Sequence, residues 1–271
     1  MADEIDPRRA MWRRGSYEIV GDWIRPASLS VLDLIEEVAG APLGDRRLLD
    51  VATGTGAVAI EAARRGATVV GVDLTDELVE IAERRAAAAG VDVRFVLGDF
   101  DQLDEVLADE RFDVITSAFG VIFAPDPAST LDRLVGRVIG GGLIGVTGWD
   151  PDGALVPPES MIELFPERPP MLDMSPWTTA IAELCAGRSV EVAATRASEL
   201  MVAFPSVDDA ADQLERWAGG WTQLLEMFDT LDVGGEARQR FRDHLAAFSV
   251  ATSDGIEISL RHHTSVLRTV G

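Results

Sequence analysis

The chain has 271 residues, a formal net charge of -22 and 47% hydrophobic residues. A charge of this sign disfavours the phosphate backbone of a nucleic acid or an anionic membrane surface as a partner. The single cysteine, Cys185, excludes an internal disulfide and a multi-cysteine metal site, and no apolar run reaches the roughly 18 residues that span a bilayer. We therefore expect a cytoplasmic protein without a signal sequence and without a metal.

The first 45 residues predict an aromatic arm, which includes Tyr17, followed by one amphipathic helix. The stretch SLSVLDLIEEVAG has helical periodicity, and Ser28 or Ser30 is the expected N-cap. We interpret residues 1–45 as a lid that either covers a site or packs on the edge of a sheet.

Between residues 46 and 150, apolar strands alternate with helical patterns. Strand segments such as LLDVAT and ATVVGVDL consist largely of Val, Leu and Ala, which is typical of parallel strands covered by helices on both faces. Glycines at Gly66, Gly90 and 140–142 mark the expected helix ends. The alternation predicts a doubly wound α/β sheet that binds a cofactor.

The sequence changes character after Trp149, where proline and large apolar side chains become frequent. The proline-rich segment 151–177 predicts a long loop with short helices only. We interpret residues 151–250 as a substrate-binding cap with a late strand, and residues 251–271 as the C-terminal strand that completes the sheet. Helices are expected at Val207–Gly219 and Gly235–Phe248, and strands at Leu200–Phe204 and His263–Val270.

The stretch DVATGTGAVA places Gly54 and Gly56 between the first strand and a helix. Glycine permits a tight turn and a close ligand, and the first N–H groups of the helix are available to bind it. Asp73 ends the second strand, where a carboxylate accepts both hydroxyls of a ribose. Dinucleotide enzymes and nucleoside-binding methyltransferases share this arrangement.

Further residues discriminate between these two kinds of ligand. Asp50, at the end of the first strand, would repel a pyrophosphate and attract a cation. Asp99 and Phe100 end the third strand and suit the exocyclic amine and the ring of an adenine. A short-chain nicotinamide oxidoreductase would need a Tyr and a Lys near the later strands, and Tyr17 is the only tyrosine of the chain. The residues favour a cationic nucleoside, and a nicotinamide oxidoreductase is the less favoured alternative.

In their order along the chain, these motifs resemble those of the class I S-adenosylmethionine-dependent methyltransferases. The five matching segments are LLDVATGTG, VVGVDLTDELVEIA, VRFVLGDFDQL, FDVITSAFGVIFAPDP and LVGRVIGGGLIGVTGW. The run SAFGVIFAPDP is similar to the small-molecule branch related to the ubiquinone and menaquinone methyltransferases, which is common in bacterial secondary metabolism.

The resemblance implies a seven-stranded Rossmann-like sheet with a helical cap, and S-adenosylmethionine as the cofactor. It also implies a role for each residue that matches a motif. It places Asp50, Ala52, Gly54 and Gly56 at the methionine moiety, Asp73 at the ribose, Leu74 beside the adenine, Asp99 and Phe100 at the adenine amine and ring, Ser117, Ala118 and Phe119 at the reacting methyl group, and Tyr17 over the cofactor.

We predict methyl transfer to a small molecule, because the fourth motif reads SAFG and lacks the pattern of adenine-amine methyltransferases. The Met- and Trp-rich region after Trp149 suits a bulky, poorly polar acceptor. Displacement at a sulfonium depends on positioning and exclusion of water, so none of His244, His262 and His263 is assigned as a base. O-, N- and C-methylation remain open, as do a SAM-binding protein that transfers no methyl group, such as a cyclase, and a homodimer.

Overall fold

Helices and strands alternate along the chain in the computed structural model, which describes residues 7–270. Residues 1–6 of the predicted arm, on which the expected absence of a signal sequence partly depends, and residue 271 of the predicted last strand lie outside the described residues. The helices are α1 (Pro7–Arg13), α2 (Tyr17–Ala39), α3 (Ala57–Arg64), α4 (Asp76–Ala89), α5 (Leu103–Leu107), α6 (Pro127–Arg137), α7 (Glu159–Ile162), α8 (Ile181–Cys185), α9 (Val207–Trp217), α10 (Gly219–Thr230) and α11 (Gly234–Ala247). The strands are β1 (Arg47–Val51), β2 (Thr68–Asp73), β3 (Val93–Leu97), β4 (Phe112–Ala118), β5 (Val138–Trp149), β6 (Val190–Phe204), β7 (Ser249–Thr252) and β8 (Gly255–Thr269).

The strands of the described chain form one sheet in the order β3-β2-β1-β4-β5-β8-β6, and β7 pairs with β8. Neighbours among β1 to β5 are parallel, whereas β8 runs antiparallel to β5. The order reverses between β1 and β4, which makes the sheet doubly wound and confirms the predicted seven-stranded Rossmann-like architecture, with β7 as an addition. Ligands of such sheets bind outside the carboxyl ends of the strands at this reversal.

The chain divides into two compact units, which are described separately below. The smaller unit contains residues 7–23, 152–171 and 199–261, and the larger unit contains residues 24–151, 172–198 and 262–270. Both are assembled from separate segments of the chain, unlike the contiguous segments interpreted from the sequence. The roles assigned to those segments as lid, cofactor core and cap remain predictions.

In the larger unit, α2 and α3 cover one face of the sheet. Val31 and Ile35 of α2 belong to the same buried apolar cluster as Ala59 of α3 and Val266 of β8. Gly145 of β5 lies beneath α2, and a Cβ atom there would be 2.5 Å from Val31 Cγ2 and 2.7 Å from Ile35 Cδ1. The absent side chain at this position therefore allows the close packing of α2 on β5.

We expect Gly145→Ala to lower the free energy of unfolding by about 1–3 kcal/mol, because the added methyl group overpacks the contact between α2 and β5. Urea denaturation monitored by circular dichroism measures the change. Gly140→Ala is the matched control on the same strand, since a Cβ atom at Gly140 meets no atom within 4 Å. Equal destabilisation by both substitutions would contradict the packing argument.

The N-terminal end of α2 differs from the prediction that Ser28 or Ser30 caps the helix. The helix begins at Tyr17, so both serines lie inside it. Their hydroxyls donate hydrogen bonds back to the carbonyl oxygens of Ile24 and Ala27, at 3.2 and 2.7 Å. A serine that bonds to the preceding turn in this way is accommodated within a helix, so its presence did not mark the first residue.

The predicted helix end at Gly140 to Gly142 is also wrong, because α6 ends at Arg137 and β5 begins at Val138. The Arg137 guanidinium is buried and donates to the carbonyl oxygen of Ala108 and to Asp104. Val138 pairs with Phe112 of β4, so the backbone enters the sheet before it reaches the glycines. The other expected helix ends hold, since Gly66 and Gly90 adopt φ angles of 93° and 68°.

In the smaller unit, the two helices predicted from periodicity correspond to α9 and α11, and α10 lies between them. Trp217 ends α9 and Trp221 lies in α10. The proline-rich segment contains short helices, as predicted, and the late strands extend beyond the predicted bounds as β6 and β8. No helix within residues 7–270 is long and apolar enough to cross a bilayer.

Candidate functional site

The turn between β1 and α3 has left-handed backbone conformation at Ala52, Gly54 and Gly56, with φ angles of 53°, 55° and 80°. Gly56 is the N-cap of α3, so the first N–H groups of the helix face the turn. A Cβ atom at Gly54 would meet no atom within 4 Å, which leaves open space above the backbone there. The turn thus combines the N-terminal end of a helix with room for a ligand.

Ala52 is the residue of this turn that cannot adopt a left-handed conformation without strain. Relief of that strain is worth about 1–2 kcal/mol, and the extra unfolded-state entropy of glycine offsets about 0.5–1 kcal/mol. We expect Ala52→Gly to raise the free energy of unfolding by up to about 1 kcal/mol, measured by urea denaturation. Ala87→Gly, on the exposed side of α4, is the control and should destabilise by about 1 kcal/mol.

Asp50 is buried at the end of β1, with 2% of its surface exposed. Its carboxylate oxygens accept hydrogen bonds from the hydroxyls of Thr53, at 2.6 Å, and Thr116, at 2.7 Å. Burial raises the pKa of Asp50 to about 6, because these bonds and one from the amide of Ala59 compensate only part of the lost hydration. A buried carboxylate whose hydrogen-bond partners are all neutral has the electrostatics of a site for a cation.

Asp73 connects the end of β2 to the glycine turn. Its Oδ2 atom accepts a hydrogen bond of 2.7 Å from the amide of Gly54, and its Oδ1 atom accepts one of 2.9 Å from the amide of Thr75. Burial raises the pKa of Asp73, and these amide bonds oppose the shift. The carboxylate that is predicted to bind a ribose thus also holds the turn in place. Leu74, the next predicted residue, is half-buried.

Asp99 and Phe100 lie where the chain leaves β3. Asp99 is buried and caps a short helical turn by accepting a 2.9 Å hydrogen bond from the amide of Asp101, while Phe100 is half-buried. The amide of Gly98 donates a 2.8 Å bond to the carbonyl oxygen of Asp73. The predicted adenine-binding pair therefore lies next to the predicted ribose-binding carboxylate.

Ser117, Ala118 and Phe119 end β4 beside the turn, as the order of the strands requires. The Ser117 hydroxyl donates to the carbonyl oxygen of Val51 at 2.9 Å and accepts from the amide of Val121 at 3.1 Å, so it fastens this segment to β1. A Cβ atom at Gly120 would lie 2.4 Å from the Cβ atom of Ala52, which shows how closely the two segments approach.

Phe119 belongs to an aromatic group that the sequence did not reveal. Its φ angle is 58°, and its ring stacks on that of Trp149 with centroids 3.8 Å apart and planes at 19°. The His262 ring meets Phe119 edge-on, at a centroid distance of 6.2 Å. Trp149 and His262 are far apart in the sequence, and only the pairing of β5 with β8 brings them together.

Tyr17 lies in the smaller unit, at the first position of α2. Its hydroxyl oxygen is a partner of the amides of Gly219 and Gly220, and burial raises the pKa of the phenol. Its ring lies 5.2 Å from that of Trp12. The assignment of Tyr17 to the cofactor remains a prediction.

Comparisons with known proteins place these residues in a family. A methyltransferase domain family matches residues 48–142. The nocamycin O-methyltransferase of Saccharothrix syringae is 30% identical over 228 residues, which cover 81% of this chain and 73% of that enzyme. The chain belongs to the class I S-adenosylmethionine-dependent methyltransferases. The cofactor of this family is S-adenosylmethionine.

Other relatives match shorter parts of the chain. It is 38% identical to an uncharacterized protein of Mycobacterium tuberculosis over 146 residues, 54% of this chain and 51% of the relative, so the chain spans about half the length of such relatives. It is 35% identical to the ubiquinone/menaquinone biosynthesis C-methyltransferase UbiE of Geotalea daltonii over 138 residues, 49% of this chain and 55% of that enzyme, which supports the predicted resemblance.

Solved structures share the fold of this chain. A crystal structure of a Bacillus halodurans protein superposes on this chain with a TM-score of 0.59 at 20% identity. The superposition covers 89% of this chain and 100% of the Bacillus halodurans chain. At this identity the likeness concerns the fold, and it agrees with the doubly wound sheet described above.

Proposed function

We propose that this methyltransferase binds S-adenosylmethionine at the turn between β1 and α3 and transfers its methyl group to a small, bulky and poorly polar molecule. The observation that carries the proposal is the buried carboxylate of Asp50, whose partners are neutral, beside an open left-handed turn. A sulfonium nucleoside would supply a positively charged partner for this carboxylate. Asp73 and Asp99, at the ends of the two neighbouring strands, offer acceptors for the ribose hydroxyls and the adenine amine.

The bound cofactor supplies an electrophilic methyl group whose leaving group becomes neutral. The chain then has to orient the acceptor in line with that group and to exclude water. Asp50 and the amides of the turn hold the charged end of the cofactor. The stacked rings of Phe119 and Trp149 provide an apolar surface next to the turn, since both are more than nine-tenths buried, with 8% and 7% exposure.

The acceptor is proposed to be a natural product or a quinone-like molecule. The names of two relatives, a nocamycin O-methyltransferase and a ubiquinone/menaquinone biosynthesis C-methyltransferase, support such an acceptor and a role in secondary metabolism such as antibiotic biosynthesis, with O-, N- and C-methylation all open. A polar, strongly charged acceptor would be poorly matched to the Phe119 and Trp149 rings. The single cysteine, Cys185, which is buried as a free thiol, fits the proposed cytoplasmic location.

Calorimetric titration with S-adenosylmethionine, S-adenosylhomocysteine and NADPH tests the cofactor assignment. We expect saturable heats with the first two ligands and none with NADPH; the reverse pattern would refute the proposal in favour of an oxidoreductase. Transfer of a labelled methyl group to a panel of quinols, phenols, polyketides and amines tests the reaction. Binding without transfer to any of them would indicate a SAM-binding protein that uses the sulfonium for another reaction, such as a cyclisation.

A further inference from the structure

His262 and His263 are consecutive residues of β8, and they occupy opposite faces of the sheet because side chains alternate along a strand. His262 pairs with Trp149 and is 3% exposed. His263 pairs with Gly148, and its Nε2 atom lies 3.0 Å from Oδ2 of Asp150. Two histidines of similar position thus have different surroundings.

The face that carries His262 is the face on which α2 packs. Thr264, two residues further along, has its hydroxyl 3.0 Å from that of Ser30 in α2 and 3.1 Å from that of Thr147 in β5. The helix α3, which follows the glycine turn, packs on this same face. The opposite face, which carries His263, is covered by other segments, since a Cβ atom at Gly148 would lie 2.7 Å from side-chain atoms of Ile122 and Thr178.

His262 is joined to the cofactor turn through a short series of contacts. Gly120 approaches Ala52 of the turn, Phe119 precedes Gly120, and the Phe119 ring meets the edge of the His262 ring at 6.2 Å. Phe119, Trp149 and Thr264 lie around His262 on this face of the sheet. An imidazole lies here at the carboxyl end of the sheet, beside the rings that are proposed to receive the acceptor.

We propose that His262 is a catalytic residue that accepts the proton of a phenolic or enolic hydroxyl as that oxygen is methylated, an inference that rests on the function proposed above. The oxygen lone pair forms the new C–O bond while the C–S bond breaks, and its electron pair remains on sulfur. The hydroxyl proton passes to a ring nitrogen of His262, which then releases it to solvent. Imidazole suits this step because its ordinary pKa lies near neutrality.

The proposal separates acceptors that need a base from those that do not. β-Naphthol keeps its proton near neutral pH, whereas β-thionaphthol, which has nearly the same shape, is largely ionised. Labelled-methyl transfer to both compounds is compared in the wild type, His262→Asn and His263→Asn. Transfer to the thiol, together with calorimetric binding of S-adenosylmethionine, shows that each variant is folded and holds its cofactor.

We expect His262→Asn to lower kcat/KM for β-naphthol by about 10²-fold or more, the usual contribution of general base catalysis. The same variant should keep its activity towards β-thionaphthol within a few-fold, and His263→Asn should keep both activities. Equal losses on the two compounds, or no loss on either, would overturn the proposal for His262. Absence of S-adenosylmethionine binding to the wild type would instead overturn the proposed function.

A second measurement does not depend on turnover. The chain has three histidines, so their ring C–H signals in a proton NMR spectrum can be assigned from the His262→Asn and His263→Asn variants. We expect β-naphthol, added in the presence of S-adenosylhomocysteine, to shift the His262 signal and to leave the His263 signal in place. If the wild type methylates neither compound, an unshifted His262 signal rejects the proposal and a shifted one supports it.

Discussion

Replacing Asp73 with asparagine is expected to weaken the binding of S-adenosylmethionine and S-adenosylhomocysteine by about tenfold to a hundredfold, because hydrogen bonds to a charged group contribute about 1.5–3 kcal/mol. The side-chain oxygens of Asp73 accept hydrogen bonds from the backbone amides of Gly54 and Thr75. An asparagine offers one acceptor oxygen, so its NH₂ group would face one of these two amide N–H donors. The substitution therefore weakens the predicted ribose contact and loosens the turn together. Calorimetry with both nucleosides measures the loss.

Asp113→Asn is the matched control for this experiment. Asp113 also accepts a hydrogen bond from a backbone amide, that of Arg47 at 2.7 Å, but it does so where β1 begins, at the amino end of the strand. We expect this variant to lose some stability and to bind S-adenosylhomocysteine with unchanged affinity. If Asp73→Asn bound the nucleoside as well as the control does, the ribose assignment would be wrong.

Replacing Asp50 with asparagine is expected to stabilise the free protein near neutral pH and to weaken cofactor binding. The folded-state pKa of Asp50 is raised to about 6 from an ordinary value of 3.8 by burial. Its contribution to stability is therefore fully present below about pH 4 and is lost as the pH rises through about 6, a loss of about 3 kcal/mol for a difference of this size. Asparagine keeps the shape without the buried charge and does not show this loss.

Urea denaturation of the free protein between about pH 4 and pH 7 tests the sign of this effect. The unfolding free energy of Asp50→Asn relative to the wild type should increase with pH, by up to about 3 kcal/mol. Thr116→Val serves as a control that keeps the carboxylate and removes one of its hydrogen bonds, so it should move the transition to higher pH. A wild type and Asp50→Asn variant with parallel pH profiles would contradict the raised pKa.

The same substitution should lower the affinity for S-adenosylmethionine about tenfold or more, since loss of 1.4 kcal/mol of attraction already has that effect. Greater stability combined with weaker binding distinguishes a carboxylate retained for its ligand from one that supports the fold. A variant that gained stability and kept its affinity would place the cationic end of the cofactor away from Asp50.

The sequence predicted the cofactor half of the candidate site because its parts are local. The end of β1, the glycine turn and the start of α3 are contiguous, and strands that alternate with helices place their carboxyl ends at one edge of a parallel sheet. Asp50, Asp73 and Asp99 each lie at or just after the carboxyl end of such a strand, so their convergence followed from the pattern. Which donors hold Asp50 did not follow, because Thr116 reaches it only through the pairing of β1 with β4.

The aromatic and histidine side of the site was decided by tertiary structure alone. Trp149 and His262 meet because β8 inserts antiparallel beside β5, and nothing in either segment specifies that register. Because side chains alternate along β8, His262 and His263 lie on opposite faces of the sheet, although they appear equivalent in the sequence. Local periodicity and turn chemistry thus determined the class of fold and the turn that is proposed to bind the cofactor. Long-range strand pairing and helix packing decided the start of α2, the raised pKa of Asp50 and the residues that surround Phe119.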